Sequence, residues 1–272
     1  MNRNRAIAQQ VGQRERRLAR FLSSTSLAAA SLPWTLGHRG APDRVPMTIC
    51  ALCGDMVRQQ DETVEHVPPE LFYPKILRPT IREPFWTVPS HRKCNENYRM
   101  DEEYFYYFLM PLVVNENSDM GKVLLNDLRE RRKDPQTASM IKSLLSEMKS
   151  ETPSGILLPP SIRQFSVDQV RVQNVAIKIA QCIYFKEHGT FLSKLPCKHC
   201  ELVEKVEDLQ PLYRLILEHA KPVSIAPDVF NYRYICVDGV HLFGFMFWAG
   251  YMFCLAFDDP EGRKELIWMK PQ

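Results

Sequence analysis

Two short pairs of residues, Cys50-x2-Cys53 and His91-x2-Cys94, have the types and spacing of metal ligands. A tight turn supplies each pair and a long insertion separates them, which is how a tetrahedral zinc site is assembled from two segments of chain. Sulfur and imidazole nitrogen suit zinc, and four protein ligands leave no open position, so the expected ion is structural. Between the pairs lies Glu65-His66, followed by Pro68-Pro69. A neutral histidine near its natural pKa is a good base for taking a proton from water. Asn95 directly follows the last sulfur ligand, so a bound metal would hold it in place; the same residue is also placed to start a helix. The Glu65 carboxylate and the Asn95 amide oxygen suit a hard cation, Mg²⁺ or Mn²⁺, that keeps several waters. Together these are the parts for phosphodiester hydrolysis. His66 activates the water, and the cation polarises the phosphate and stabilises the leaving oxygen. Arg92, Lys93 and Arg99 flank the site and are expected to contact phosphates. One geometric condition applies. Adjacent residues of a regular strand face opposite sides, so Glu65 and His66 serve one phosphate only where the strand ends or twists strongly.

In this order, the motifs CALCG, EHVPP and VPSHRKCN resemble an HNH endonuclease of the zinc-containing ββα-metal type, over roughly residues 47–105. The extension CNENYRMDEEYF resembles a bacterial HNH-like subgroup, and KIAQCIYFKEHG is similar, less specifically, to that subgroup's C-terminal region. The resemblance implies a general base at His66, a catalytic divalent cation on Glu65 and Asn95, and a structural zinc on Cys50, Cys53, His91 and Cys94. It also implies a nucleic-acid substrate, with DNA expected. His91 stands where the common pattern has cysteine, Glu65 where aspartate is commoner, and Tyr98 where a lysine often follows. These departures keep a second reading open: a zinc-stabilised nucleic-acid-binding or protein-interaction module that has lost catalysis.

Other residue groups are weaker candidates. Glu102 could add a ligand or orient His66, but reads better as a solvent-facing helix acid. Tyr104–Met110 could stack on bases, but aromatics at helical spacing usually pack a core. Cys197-x2-Cys200 has no well-spaced second pair, and reads as a redox pair, two inert thiols or an independent zinc site. Cys182, Cys236 and Cys254 sit in apolar runs and are expected to be core thiols.

The elements that must position these groups follow from the pattern along the 272 residues. The expected fold is α+β: a small zinc-stabilised ββα-metal (HNH) domain, a helical segment, and an α+β C-terminal region with an antiparallel sheet. Residues 1–46, rich in arginine and poor in acids, form an extension expected to be disordered; a targeting peptide or a phosphate-binding arm are alternatives. Residues 47–115 form the HNH-like domain, 116–150 a helical connector and 151–272 the C-terminal domain. Residues 55–66 read as a short hairpin, 92–111 as one helix, 119–133 and 135–150 as two amphipathic helices, and 199–220 as helical. Over 168–187, Val172, Val175, Ala176, Ile179 and Ile183 share one face of a helix that ends near Gly189. Residues 239–257 carry no formal charge and approach the length of a membrane span, about 20 residues. Alternating aromatics on both sides of Ala249-Gly250 instead describe a β-hairpin. A net charge of +3 permits a nucleic-acid partner without arguing for one. No membrane partner is expected, and the expected location is the cytoplasm.

Overall fold

The computed structural model describes residues 48–80, 85–113, 118–159, 164–192, 197–203, 210–226, 228–248 and 250–258. The basic extension over 1–46 and the apolar segment over 265–269 lie outside them. The fold is α+β with an antiparallel C-terminal sheet.

The N-terminal part is built from two small antiparallel pairs. Strand β1 (Thr48–Ile49) pairs with β2 (Met56–Val57), and β3 (Glu62–His66) pairs with β4 (Thr87–His91). The expected hairpin over 55–66 therefore does not form. Its two halves belong to different pairs, because the Cys50–Cys53 turn joins β1 to β2 while β3 takes β4 as its partner, with Glu62 opposite His91. Helix α1 (Arg92–Glu96) follows β4 directly, and α2 (Arg99–Val113) follows α1. One helix was expected there. The chain instead tightens at Asn97 and Tyr98, where the Tyr98 N–H donates to the Asn95 carbonyl, and α2 continues past Pro111.

Helices α3 (Asp119–Arg131), α4 (Pro135–Ser146) and α5 (Gln169–His188) come next. Ser118, Asp134 and Asp168 each cap one of them by accepting a backbone N–H. On α5 the five residues expected to share a face are all buried. Strand β5 (Cys197–Val203) and helix α6 (Pro211–His219) occupy the span expected to be helical throughout. The override is tertiary: β5 is recruited as an edge strand by β9, and Pro211 sets the helix start at its first position. Strands β6 (Pro222–Ala226), β7 (Phe230–Val237), β8 (Val240–Phe247) and β9 (Tyr251–Asp258) complete a five-stranded antiparallel sheet of order β5-β9-β8-β7-β6.

This sheet explains the uncharged run over 239–257. Both of its faces are covered. Phe243, Phe245, Phe247, Phe253, Leu255 and Phe257 join the main core, while Val240, Leu242, Met252, Cys254 and Ala256 pack with Tyr213 and Ile216 of α6. A strand buried on both sides reads as a continuous apolar segment. Gly244 admits α6: a Cβ there would lie 3.2 Å from Ile216 Cγ2. Among the described residues, no helix is long and apolar enough to cross a membrane.

The main core runs from Cys50 to Phe257 as one cluster. Every residue from Tyr104 to Met110 is buried in it, as expected for core packing. Phe105 lies at its centre, with ring centroids 5.4 Å from Phe72, 5.6 Å from Phe247 and 5.0 Å from Phe253. Phe72 also stacks on Trp248, whose indole N–H donates to the Phe72 carbonyl at 3.1 Å. Of the three expected core thiols, Cys182 and Cys254 are buried, but Cys236 is exposed, near the β7–β8 turn. Replacing Phe105 by Ala removes the ring that joins insertion, helix and sheet. It is expected to lower stability by about 3–5 kcal/mol, read from denaturant unfolding of the native and variant chains.

Candidate metal centre

Cys50, Cys53, His91 and Cys94 converge, with their ligand atoms all within 4.8 Å of one another. The turn after β1 brings the first pair in. The Gly54 N–H donates to the Cys50 carbonyl, and the Cys50 N–H to Asp55. Gly54 has a φ of 80° and faces Phe191, which a Cβ would approach to 2.6 Å. Both the left-handed backbone and the close approach require glycine. The end of β4 and the first turn of α1 supply the second pair. The Ala51 N–H donates to the Pro89 carbonyl, which fastens the two halves together.

Two sets of contacts favour metal-binding protonation states, while burial pushes the Cys53 thiol up to about 12 and raises that of Cys94. The backbone N–H groups of Leu52 and His91 point at Cys50 Sγ, each at 3.4 Å, and stabilise a thiolate. His91 Nε2 lies 3.1 Å from the Met56 carbonyl. A carbonyl only accepts, so Nε2 carries the proton and Nδ1 is left with its lone pair. Nδ1 is the atom that faces the thiols, 3.4 Å from Cys53 Sγ and 3.8 Å from Cys94 Sγ. An outer partner that fixes the imidazole tautomer is a regular feature of metal-ligating histidines. The four residues could hold a metal ion such as zinc.

Asn95 is the fourth residue of α1 rather than its cap, which is His91. Its side-chain amide donates to the Val64 carbonyl at 3.2 Å, so the residue next to the last thiol is tied to β3. His66, at the end of that strand, is half-buried and packs edge-on against Phe85 at 5.7 Å. Burial lowers its pKa, with Arg78 adding to the effect and Glu70 opposing it, so the ring favours the neutral form. Arg92, Lys93 and Arg99 are exposed, and Arg99 lies 3.6 Å from Glu103.

Glu65 has a different setting. It is 3% exposed, and its Oε2 lies 2.8 Å from Nζ of Lys178, a fully buried lysine on α5. The same ammonium pairs with Glu102 Oε1 and sits over the Tyr98 ring, 5.0 Å from its centroid. Glu102 is thus not the solvent-facing acid expected; its neighbours engage other groups in the same way. Asp101 accepts from Arg171 and Asn174, each at 2.9 Å, and the Tyr104 hydroxyl accepts from the Asp168 N–H at 2.8 Å. Asp101, Glu102 and Tyr104 form a polar and aromatic seam that docks α5 on α2. Sequence reasoning passed over Lys178. The available signal was a lysine three residues after Val175 and four before Cys182, inside the apolar stripe of α5.

Cys197 and Cys200 stand on β5, with the Cys197 thiol 3.2 Å from the His199 carbonyl. Among the described residues they join no group of metal-ligand side chains.

Two expectations follow. The chain should carry about one transition-metal ion when purified without chelator, and Cys94→Ser should drop that below about half an equivalent, read by elemental analysis. The second concerns pH. Burial pushes Glu65 from its ordinary 4.5 up to about 7, with Glu102 adding to the shift and Lys178 opposing it. The folded chain therefore holds this proton more tightly than the unfolded chain. The resulting stabilisation is fully present below pH 4.5 and fades as pH rises through about 7. Unfolding free energy of the native chain should fall relative to Glu65→Gln across that window; parallel curves would reject the assignment.

Compared with known proteins, the chain matches no protein-family model, no curated protein and no solved structure.

Proposed function

We propose that the chain is a zinc-stabilised HNH-type module that hydrolyses phosphodiester bonds in nucleic acid, with DNA as the expected polymer and His66 as general base. The observation that carries this reading is the junction of β3, β4 and α1. The four-ligand cluster sits at its corner, and Asn95, next to the last thiol, is hydrogen-bonded to the strand that ends in His66. The order of these residues and the convergence of the four ligands support a ββα-metal reading.

Zinc fits the cluster by donor set and by the fixed His91 tautomer. When bound there it supplies structure, cross-linking the β1–β2 turn to the β4–α1 corner. His66 is the group that would take a proton from the attacking water, and its burial keeps the ring neutral for that role. Arg92 and Lys93 on the exposed side of α1 would hold the backbone phosphates, with Arg99 beside them.

A catalytic Mg²⁺ or Mn²⁺ does not fit Glu65 and Asn95 as they stand. The Glu65 carboxylate is buried against an ammonium, and without it only the Asn95 amide oxygen is left to offer a ligand. No step of the proposed hydrolysis is drawn through such an ion. The same pairing favours a second reading, a zinc-stabilised nucleic-acid-binding or protein-interaction module without hydrolysis.

One experiment separates the two. Supercoiled plasmid is incubated with the chain, with and without added Mg²⁺ or Mn²⁺, beside His66→Ala. Nuclease function predicts nicking that His66→Ala lowers by about 10²–10⁴-fold. Equal nicking by both chains removes His66 from the chemistry. Retained DNA binding without nicking selects the binding module, and neither activity selects protein interaction.

A further inference from the structure

We propose that Lys178 is the resident cation of this site: its ammonium, carried in on α5, fills the place between Glu65 and Glu102 that two facing carboxylates would otherwise offer to a divalent ion. Three separate elements build the socket. Glu65 comes from β3, Glu102 from the first turn of α2, and Tyr98 from the link between α1 and α2. The lysine side chain is fully buried, against 4% exposure for the Glu65 side chain and 13% for that of Glu102.

The charges explain why an ammonium is needed. Two carboxylates turned into one low-dielectric space repel each other, and a cation between them or a proton on one relieves the repulsion. Oxygen donors from two acids are also what a hard divalent ion takes as ligands. The tether decides the competition. Lys178 belongs to the same chain and is held by the docking of α5, so it competes at a high effective concentration. A divalent ion would have to expel the fully buried ammonium from between Tyr98 and both acids. Glu65 thus faces a cation of fixed position that the C-terminal half of the chain supplies. The consequence is selectivity: the native chain leaves the Glu65 position closed to Mg²⁺ and Mn²⁺, whatever the cluster at Cys50 binds.

This inference takes from the proposed function only the identity of Glu65 as the acid beside His66. Its test reads metal binding rather than cleavage, so either can fail alone. The full zinc-loaded chain is titrated with Mn²⁺, and free Mn²⁺ is followed by electron paramagnetic resonance. The native chain should show no saturable site that depends on Glu65. Lys178→Ala should gain one Mn²⁺ site, at least about tenfold tighter than any on the native chain and in the range of modest carboxylate sites. Adding Glu65→Gln to that variant should abolish the gain. A folded Lys178→Ala chain that gains no Mn²⁺ site overturns the proposal. Should Lys178→Ala fail to fold, native chain and Glu65→Gln decide. A native Mn²⁺ site that Glu65→Gln loses, with zinc content and melting unchanged, overturns the proposal, and its absence supports it.

Discussion

An ammonium cut off from water must be surrounded by anions, and that requirement fixes the arrangement of this chain. Lys178 lies in the apolar stripe of α5, where an unpaired charge would cost several kcal/mol. It is tolerable there only because Glu65 and Glu102 reach it from β3 and α2. The register of α5 against α2 is set by the same seam. Arg171 and Asn174, two turns and one turn before Lys178, hold Asp101 beside the point where Lys178 meets Glu102. Although burial acts to lower it, the two carboxylates hold the lysine above its ordinary pKa range. The lysine therefore stays charged throughout the physiological range, and its contacts link the strand that carries His66 to the C-terminal half.

A second fastening holds the other side of the same strand pair. The Cys50, Cys53, His91 and Cys94 cluster draws the β1–β2 turn onto the end of β4, and Asn95 carries that constraint across to Val64. The segment from Glu62 to Asn95 is thus clamped by ligand atoms at one end and by a buried ion pair near the other. Behind it lies an aromatic core in which Phe72, Phe105, Phe247 and Trp248 come from the insertion, α2, β8 and the turn that follows β8. The apolar interior of the sheet and the polar clamps are complementary. The sheet gives cohesion without direction, and the clamps give direction.

The parts of the site that depend on spacing were legible in the sequence. The two ligand pairs and the order of the Glu-His pair and Asn95 could be read directly, because metal ligands and helix stripes follow local geometry. The α5 face and the aromatic β8–β9 hairpin were legible for the same reason. What could not be read was pairing between distant segments. Strand β5 looks polar and helical alone and becomes a strand only because β9 offers an edge. Residues 55–66 split between two sheets because the ligand turn claims one half. The setting of Glu65 depends on a lysine more than a hundred positions away, and periodicity carries no information about such a partner. Cys236 shows the reverse error: an apolar neighbourhood in sequence ended beside a turn, in solvent.

The contact between Trp248 and Phe72 spans 176 positions, and it joins the end of the sheet to the insertion that precedes the second ligand pair. Synthesis runs from the N-terminus, so the insertion leaves the ribosome long before its indole partner exists. At about 5–20 residues per second, the interval is on the order of ten seconds or more. During it the ring faces of Phe72 and Phe105 have no sheet to rest on. The ligand turns can close early, since they need only local chain, but the ground beneath them is finished last. Assembly of this protein is therefore a matter of timing as much as of affinity: the part that bears the ligand cluster is made first and becomes firm only when the last strands arrive.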